Sequence, residues 1–414
     1  MRQSGRTDIL IIGAGAAGLM AAISAAQSGK DVTVLEKMPR PGRKIMITGK
    51  GRCNFTNVKA WNEFQEHVHP KANFLRPAFM NLTPEALVQF FEDNGMETVV
   101  ERGDRAFPAS HLSTSVIDTL CLLARQAGAD IVCDCEVTAI TRDEEGFTVT
   151  ASGAQWQCGR LIITTGGLSY PRTGSTGDGY GWARGLGHKV TPLFPSLTAI
   201  TPKDYRYSET IQLKNVGLTV YIDGNEAQNE FGDLDFTNGG IEGPIGFKVS
   251  RKCVKALSNG SKVKVSIDLK PAVEPEDLEY RIKKDWEAIC NDKRSEGKPY
   301  KTRFGVLLGK LLPMELIPMF MSYNPGADHK TIGRALKDWK MDITGNVGYE
   351  RCVVTAGGVS LDEVNPKTME SKLVPGLFFA GEILDLDADT GGYNLHIAFS
   401  TGRLAGESAG KSLA

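Results

Sequence analysis

The run Asp8-Ile9-Leu10-Ile11-Ile12, followed at once by Gly13-Ala14-Gly15-Ala16-Ala17-Gly18, constrains this chain more than any other part of it. A short run rich in isoleucine reads as a strand buried on both faces. The alanine-rich stretch after the glycines predicts a helix ending near Gly29, and Asp31 to Leu35 reads as a second strand closed by Glu36. Each glycine of such a βαβ unit has a physical task. Gly13 permits the tight turn, Gly15 lets the backbone approach a pyrophosphate, and Gly18 lets the helix pack close to the strand. The helix N-terminus offers free N–H groups and partial positive charge to phosphates. Glu36 stands eighteen residues after Gly18, at a strand end, where a carboxylate accepts hydrogen bonds from a ribose diol. The segment therefore predicts a dinucleotide site.

The remaining pattern suggests where that site is completed. Thr83-Pro84-Glu85 reads as a helix start, with N-cap, proline and acid in order. Ser113 to Ala127 places Val116, Ile117, Leu120, Leu123 and Ala124 on one helical face. Strand signals run from Ile131 to Ile163 and end in Thr164-Thr165-Gly166-Gly167. From about Pro192, short strands and glycine turns take over, and a charged, helical stretch follows. Strand patterns return at Val353-Val354-Thr355 and Leu377-Phe378-Phe379-Ala380, and a last helix is predicted from about Gly392 to Ser408. We expect residues 1–191 and 346–414 to form one split α/β nucleotide-binding domain. A β-rich insert at 192–270 and a helical insert at 271–345 would interrupt it. A length of 414 residues fits two or three domains of ~150 residues each.

Composition narrows the class. A net charge of -1 argues against a polyanion-binding role for the whole chain, so no nucleic-acid partner is expected. No apolar run is long enough to span a bilayer. Met1 to Thr7 is polar, which argues against a cleavable signal. The eight cysteines are scattered, without a C-x-x-C, and suit free thiols in a reducing cytoplasm.

Two further turns decide between cofactors. Thr164-Thr165-Gly166-Gly167 and Phe379-Ala380-Gly381-Glu382 resemble the second and third signatures of FAD-binding proteins of the glutathione reductase superfamily. The resemblance narrows with Pro41-Gly42-Arg43-Lys44 and Thr48-Gly49-Lys50-Gly51-Arg52-Cys53-Asn54-Phe55-Thr56-Asn57. It continues in Gly166-Gly167-Leu168-Ser169-Tyr170-Pro171, Gly174-Ser175-Thr176-Gly177-Asp178-Gly179, Gly381-Glu382-Ile383-Leu384-Asp385 and Thr390-Gly391-Gly392-Tyr393-Asn394-Leu395. These motifs resemble the aminoacetone oxidase-like (BaiN/RdsA-type) FAD-binding flavoproteins, over essentially the whole chain. Gly174 to Gly187 also resembles succinate dehydrogenase and fumarate reductase flavoproteins. The resemblance implies a Rossmann-type FAD-binding domain of the glutathione reductase type, interrupted by a β-barrel-like insert and a small helical domain. One stretch departs from the pattern. Where many family members carry Phe-Thr-His and Gly-x-Ser-Gly-Pro, this chain has Phe236-Thr237-Asn238 and Gly240-Ile241-Glu242-Gly243-Pro244.

By this reading the FAD-binding set comprises Gly13, Gly15, Ala16, Ala17, Gly18, Glu36, Lys37, Arg43, Lys44, Thr48, Gly49, Gly51, Arg52, Cys53, Asn54, Val137, Thr164, Thr165, Gly166, Gly381, Glu382, Tyr393, Asn394 and Leu395. Arg43, Lys44 and Arg52 are expected at the pyrophosphate or the flavin edge. Cys53 reads as a packed thiol, since it lacks a local disulfide partner. Tyr170, Tyr393 and Arg172 are the catalytic candidates. The tyrosines follow glycine pairs, and the arginine suits a substrate carboxylate. His396 is a lone helical histidine and reads as structural. His67 and His69 lie beside Glu63 and Glu66 without a compact ligand set, so no metal site is expected.

The function expected is hydride transfer between FAD and a small-molecule substrate, with dioxygen or another electron acceptor. Two versions compete: an amine or amino-ketone oxidase, and a reductase of an activated C=C bond in a steroid-like molecule using NAD(P)H. A flavin-bearing sensor without turnover is the alternative from another class. The insert carries no second strand–G-x-G-x-x-G–helix unit, so no dedicated nicotinamide site is expected in it.

Overall fold

The computed structural model describes residues 5–411. They form two compact units, one running to Pro195 and resuming at Tyr349, the other Ser196–Gly348.

The first unit is built on a seven-stranded sheet. Strand β1 (Gly5–Ile12) lies between β2 (Val32–Leu35) and the long strand Ala154–Ile163, parallel to both. Asp130–Val132 extends the sheet beyond β2, and Leu377–Phe379 pairs in parallel with the end of the long strand. The first half of the long strand pairs with an antiparallel meander, Val137–Arg142 and Phe147–Ala151. β1 is the central strand, and Ile9, Leu10 and Ile11 are fully buried, as its unbroken apolar run requires. In register, Ile12 stands beside Leu35 and Ile163, and Ile163 beside Phe379. The turns after these four strands therefore share one edge of the sheet, the carboxyl edge where ligands of such folds bind.

Helix α1 (Ala16–Ala26) is buried along its whole length. The C-terminal helix Tyr393–Lys411 packs closely on it through Gly402, Gly406 and Gly410. A Cβ added at Gly402 or Gly406 would lie 2.3 Å from the carbonyl oxygen of Ala17 or Ala21. The two backbones touch, which any side chain at those positions would prevent. The predicted helix start at Thr83 is present, with the Thr83 hydroxyl accepting a hydrogen bond from the Ala86 amide at 3.2 Å.

The second unit is a closed six-stranded barrel. Its long hairpin, Ile211–Ile222 and Asn225–Thr237, turns through Asp223 and Gly224, both at positive φ as a two-residue turn demands. The interior is filled by Leu218, Val220, Phe236, Val265, Ile267 and Trp339, all fully buried. The helices between Pro275 and Lys337 are an excursion between two barrel strands, Val263–Asp268 and Trp339–Asn346. That last strand lies in the stretch read from sequence as helical. It alternates buried Trp339, Met341 and Ile343 with exposed Lys340, Asp342 and Thr344, a period of two that its neighbours along the chain mask.

Candidate functional site

The glycine turn after β1 has the geometry its sequence requires. Gly13 has φ +98°, and a Cβ there would lie 2.8 Å from the Thr164 carbonyl oxygen. A Cβ on Gly18 would fall 1.8 Å from the Gly13 carbonyl oxygen. Gly15 differs: a Cβ there would meet nothing within 4 Å, so space stands open at the start of α1. Gly15 is the N-cap of α1 and no side chain caps the helix, which leaves the amides that open it, through Ala16 and Ala17, for an anion. Thr164, from the turn after Ala154–Ile163, donates its hydroxyl to the carbonyls of Ile12 and Gly13, both at 2.9 Å, and so fixes the turn from beneath.

Glu36 follows β2 and accepts hydrogen bonds from the amides of Ala14, at 2.7 Å, and Met38, at 2.9 Å. Burial raises its carboxyl above the usual range, while these two amides pull it down. The next residue, Lys37, pairs with Asp178 at 2.6 Å, in the Gly174–Gly179 loop. Val137 begins the first strand of the meander and is buried opposite Ala151.

The basic glycine-rich segment divides into two. Gly42, at φ +70°, donates its amide to the Ala14 carbonyl at 2.9 Å and opens α2 (Arg43–Ile47) beside the first turn. Lys44 on α2 pairs with Glu382 and Ser169. Glu382 in turn accepts from the Ser169 hydroxyl at 2.5 Å and the Thr355 amide at 2.9 Å. The Thr355 hydroxyl accepts from the amides of Leu168 and Ser169. Four chain segments far apart in sequence thus converge on one carboxylate, whose two oxygens are engaged within the protein. Next, Gly49, Lys50, Gly51 and Cys53 all have positive φ, so the loop Thr48–Cys53 turns its backbone in a way few sequences tolerate. Arg52 is committed to Glu101, to His111 at 2.9 Å and to the face of Phe107 at 4.4 Å. Cys53 is fully buried, and burial pushes its thiol up to about 12 despite a hydrogen bond with Thr48. The buried Oδ1 of Asn54 meets no donor among the described residues.

The start of the C-terminal helix lies against this segment through Thr56. Gly391 and Gly392 precede it at φ +124° and +98°, and a Cβ on Gly392 would lie 2.4 Å from the Thr56 carbonyl. The Asn394 side chain accepts from the Ala388 amide at 2.9 Å and donates to the carbonyls of Ala388 and Asp389. Leu395 is half-buried beside it. His396 is fully buried, hydrogen-bonded to Thr56 at 3.0 Å and edge-on to Phe64 and Phe79; burial lowers it to about 3, so it stays neutral.

The catalytic candidates have different settings. Tyr393 is 3 % exposed, stacked on His67 at 4.4 Å and edge-on to Phe64, and burial pushes its hydroxyl up to about 12. Tyr170 is half-buried with left-handed backbone, its amide bonded to the Tyr349 carbonyl at 3.0 Å. Arg172 is exposed on the turn Pro171–Thr173. Sequence reasoning missed Thr355 and Asp389. The first was read only as part of a strand, and the second carries no local signal.

Comparison with known proteins assigns this arrangement. The family model for the HI0933-like protein Rossmann domain matches residues 7–408. This chain belongs to the HI0933-like family. This HI0933-like protein is 31% identical over 413 residues to a 3-dehydro-bile acid delta(4,6)-reductase of Clostridium scindens, covering 96% of this chain and 98% of the relative. It is 30% identical over 404 residues to a ribosomal RNA dihydrouridine synthase of Escherichia coli, covering 96% of each. Among solved structures, a 3-ketosteroid delta1-dehydrogenase from Sterolibacterium denitrificans matches with a TM-score of 0.52 at 13% identity, over 98% of this chain and 100% of that one. A flavocytochrome c3 fumarate reductase matches at 0.50 and 17%, over 98% and 78%. These likenesses support a flavoenzyme fold. The HI0933-like chain is an FAD-dependent oxidoreductase, and the aminoacetone-oxidase part of the sequence resemblance is not carried by the relatives. Its residues fit the cofactor: the open space at Gly15, the uncapped α1 N-terminus, Glu36 at the strand end and the orphaned Asn54 oxygen are what a dinucleotide with a polar ring needs. Bound FAD supplies two-electron hydride chemistry; the uncapped α1 start, Glu36 and the fixed glycine turn would hold and orient it. Among the described residues no His, Cys, Asp or Glu cluster could hold a metal ion, and no helix is long and apolar enough to cross a membrane.

Proposed function

We propose that this protein reduces a carbon–carbon double bond conjugated to a carbonyl in a small organic molecule. The observation that carries this reading is what two relatives matching nearly the whole chain share. One is named for saturating bonds of a dehydro-bile acid, the other for converting uridine to dihydrouridine. A steroid ring and a uracil ring have little in common except a C=C bond polarised by a carbonyl. A hydride is delivered to the carbon distant from the carbonyl and a proton to the adjacent carbon; the two electrons come from a reduced nicotinamide or comparable donor through FAD. Tyr170 and Arg172, half-buried and exposed in the first unit, are the residues proposed to meet substrate; the packed ring of Tyr393 is a support.

The experiment mixes anaerobically reduced holoprotein with a panel of enones. Reoxidation of the flavin with stoichiometric saturated product is expected. Bleaching of oxidised flavin by amines or amino-ketones, with turnover on dioxygen, would replace this reading by the oxidase. Saturable bleaching of the oxidised flavin by NADH or NADPH would identify the nicotinamide as donor; slow, non-saturable bleaching would assign that part to another reductant.

A uridine in RNA is a second reading, favoured by one feature of the chain. Between Arg281 and Lys337 there are twelve Lys and Arg against six Asp and Glu, although the whole chain carries -1. RNA affinity that falls steeply with salt would support it; no affinity at low salt would leave the small molecule.

A further inference from the structure

The histidines at 67 and 69 have no use in the site described so far, and the structure gives them one partner. Asp389 lies 2.9 Å from His67 Nδ1 through Oδ2 and 3.6 Å from His69 Nε2 through Oδ1. Its amide donates to the His67 carbonyl at 3.0 Å, and the preceding residues, Asp387 and Ala388, pair with His69 and Val68 as a two-stranded ladder. The His67 ring lies flat against Tyr393, at 4.4 Å and 24°. The segment 67–69 therefore clasps the chain on both sides of Gly391-Gly392. Burial alone would raise the Asp389 carboxyl, but hydrogen bonds from His67 and His69 outweigh it and hold it at about 2, so it is charged at any working pH.

We propose that Asp389 is a positioning residue that sets the reduction equilibrium of bound FAD, by placing one negative charge, partly offset by two histidines, at the N-terminal end of the last helix. The helix start offers partial positive charge to whatever anion lies before it. One residue, Thr390, separates Asp389 from Gly391, at most ~7 Å of backbone, which is within one screening length. A fixed carboxylate there subtracts from the helix field and opposes the negative charge that two-electron reduction adds to a flavin. A fastener alone would not need the charge, because the neutral Asn394 already ties Ala388 and Asp389 to the helix. His67 and His69 then have a defined effect: their N–H groups draw the charge away from the helix. Lys59, Glu63 and Asp104 are the other charged groups acting on Tyr393; both variants below leave them unchanged.

This inference rests on the FAD site and not on the substrate. Its test is a potential measurement on holoprotein by anaerobic equilibration with a reference dye, without any enone. Asp389→Asn keeps the shape and one accepting oxygen, toward His67, and removes the charge; the equilibrium constant for two-electron reduction should rise about tenfold, a shift of about +30 mV. His67→Phe keeps the ring against Tyr393 but removes the N–H donor, and should lower the constant, by about threefold. Opposite signs in the two variants are the expected result, since a purely structural contact would move both the same way. Shifts of the same sign, or no shift beyond the error in either variant, would overturn the proposal. If Asp389→Asn does not retain FAD, the sign of the His67→Phe shift decides alone, and loss of FAD by both variants would reduce Asp389 to a structural anchor.

Discussion

The two helix starts proposed to frame the cofactor site are built on opposite plans. The start of α1 has no side-chain cap, and its geometry is set by glycines: one at a positive φ, one where nothing stands within 4 Å of a Cβ, and one where a Cβ would strike a carbonyl at 1.8 Å. The start of the C-terminal helix also has two glycines, but side chains hold it: its own Asn394 and His396, the preceding Asp389, and Thr56 and His67 from a distant segment. A backbone site of the first kind is specified by what is missing from the side chains. A site of the second kind is specified by partners, some of which are more than three hundred residues away. The first is therefore written in six consecutive letters, and the second is not.

Substitutions can break this contrast, most strongly at the glycines. Gly15→Val should cut FAD affinity ~100-fold or more, about 2.8 kcal/mol, by filling the open space. The same variant should leave the melting temperature of the apoprotein almost unchanged, because its Cβ meets no protein atom. Gly18→Ala should do the reverse, costing about 3 kcal/mol of folding stability through the clash with Gly13. Calorimetry of the apoproteins beside FAD titration separates the two; equal effects on both readouts would show that the turn is one packing unit with no cofactor space of its own.

At the other helix start, Asn394→Ala should cost about 2 kcal/mol, since the Ala388 amide and carbonyl lose their partner. Faster FAD release with a lowered melting temperature is the expected pairing. A variant as stable as the parent would mean that the helix start is held by its glycines after all.

Acid sharpens the comparison, because the second helix start carries a half-buried carboxylate held by two histidines. The Asp389 carboxyl lies at about 2 in the folded protein against ~3.9 in an unfolded chain. Its contribution, about 2 kcal/mol, is therefore complete above roughly pH 4 and is lost as pH falls toward 2. Asp389→Asn should remove that part of the acid destabilisation, measured as the melting temperature between pH 5 and 2.5. The smallest effect is expected at Cys53. With its thiol held protonated at about 12, Cys53→Ser should change the rate of flavin reduction by less than about twofold; loss of reduction in a variant that binds FAD would make the thiol a redox group.

Legibility in the sequence followed the range of the interactions. The βαβ unit, the Thr83 cap, the buried helix face at Val116 and Leu120 and the run of the last helix depend on neighbours within a turn or a strand. Glu36 was legible because its distance from the glycines is fixed by one helix. Glu382 was legible as part of a turn, yet its engagement by Lys44, Ser169 and Thr355 was not, since those partners come from three other segments. Tyr393 was read as a candidate at the ring, and nothing local told that His67 and Phe64 would take its two sides. The strand Trp339–Asn346 was hidden because the helices before it, which pack on the barrel through contacts such as Phe320 on Trp339, carry a different period up to its first residue.

The close contact between α1 and the C-terminal helix sets a timetable for synthesis. Ala17 and Ala21 meet Gly402 and Gly406, about 385 residues later. At ~5–20 residues per second, the ribosome takes roughly 20–80 s to supply the covering helix. For that interval the alanine face of α1 stands bare beside a sheet that still lacks the strand Leu377–Phe379. A nascent chain in this state exposes apolar surface that the finished fold covers. Truncations that stop short of Gly402 should be found with chaperones or in aggregates, however well the barrel unit has folded by then.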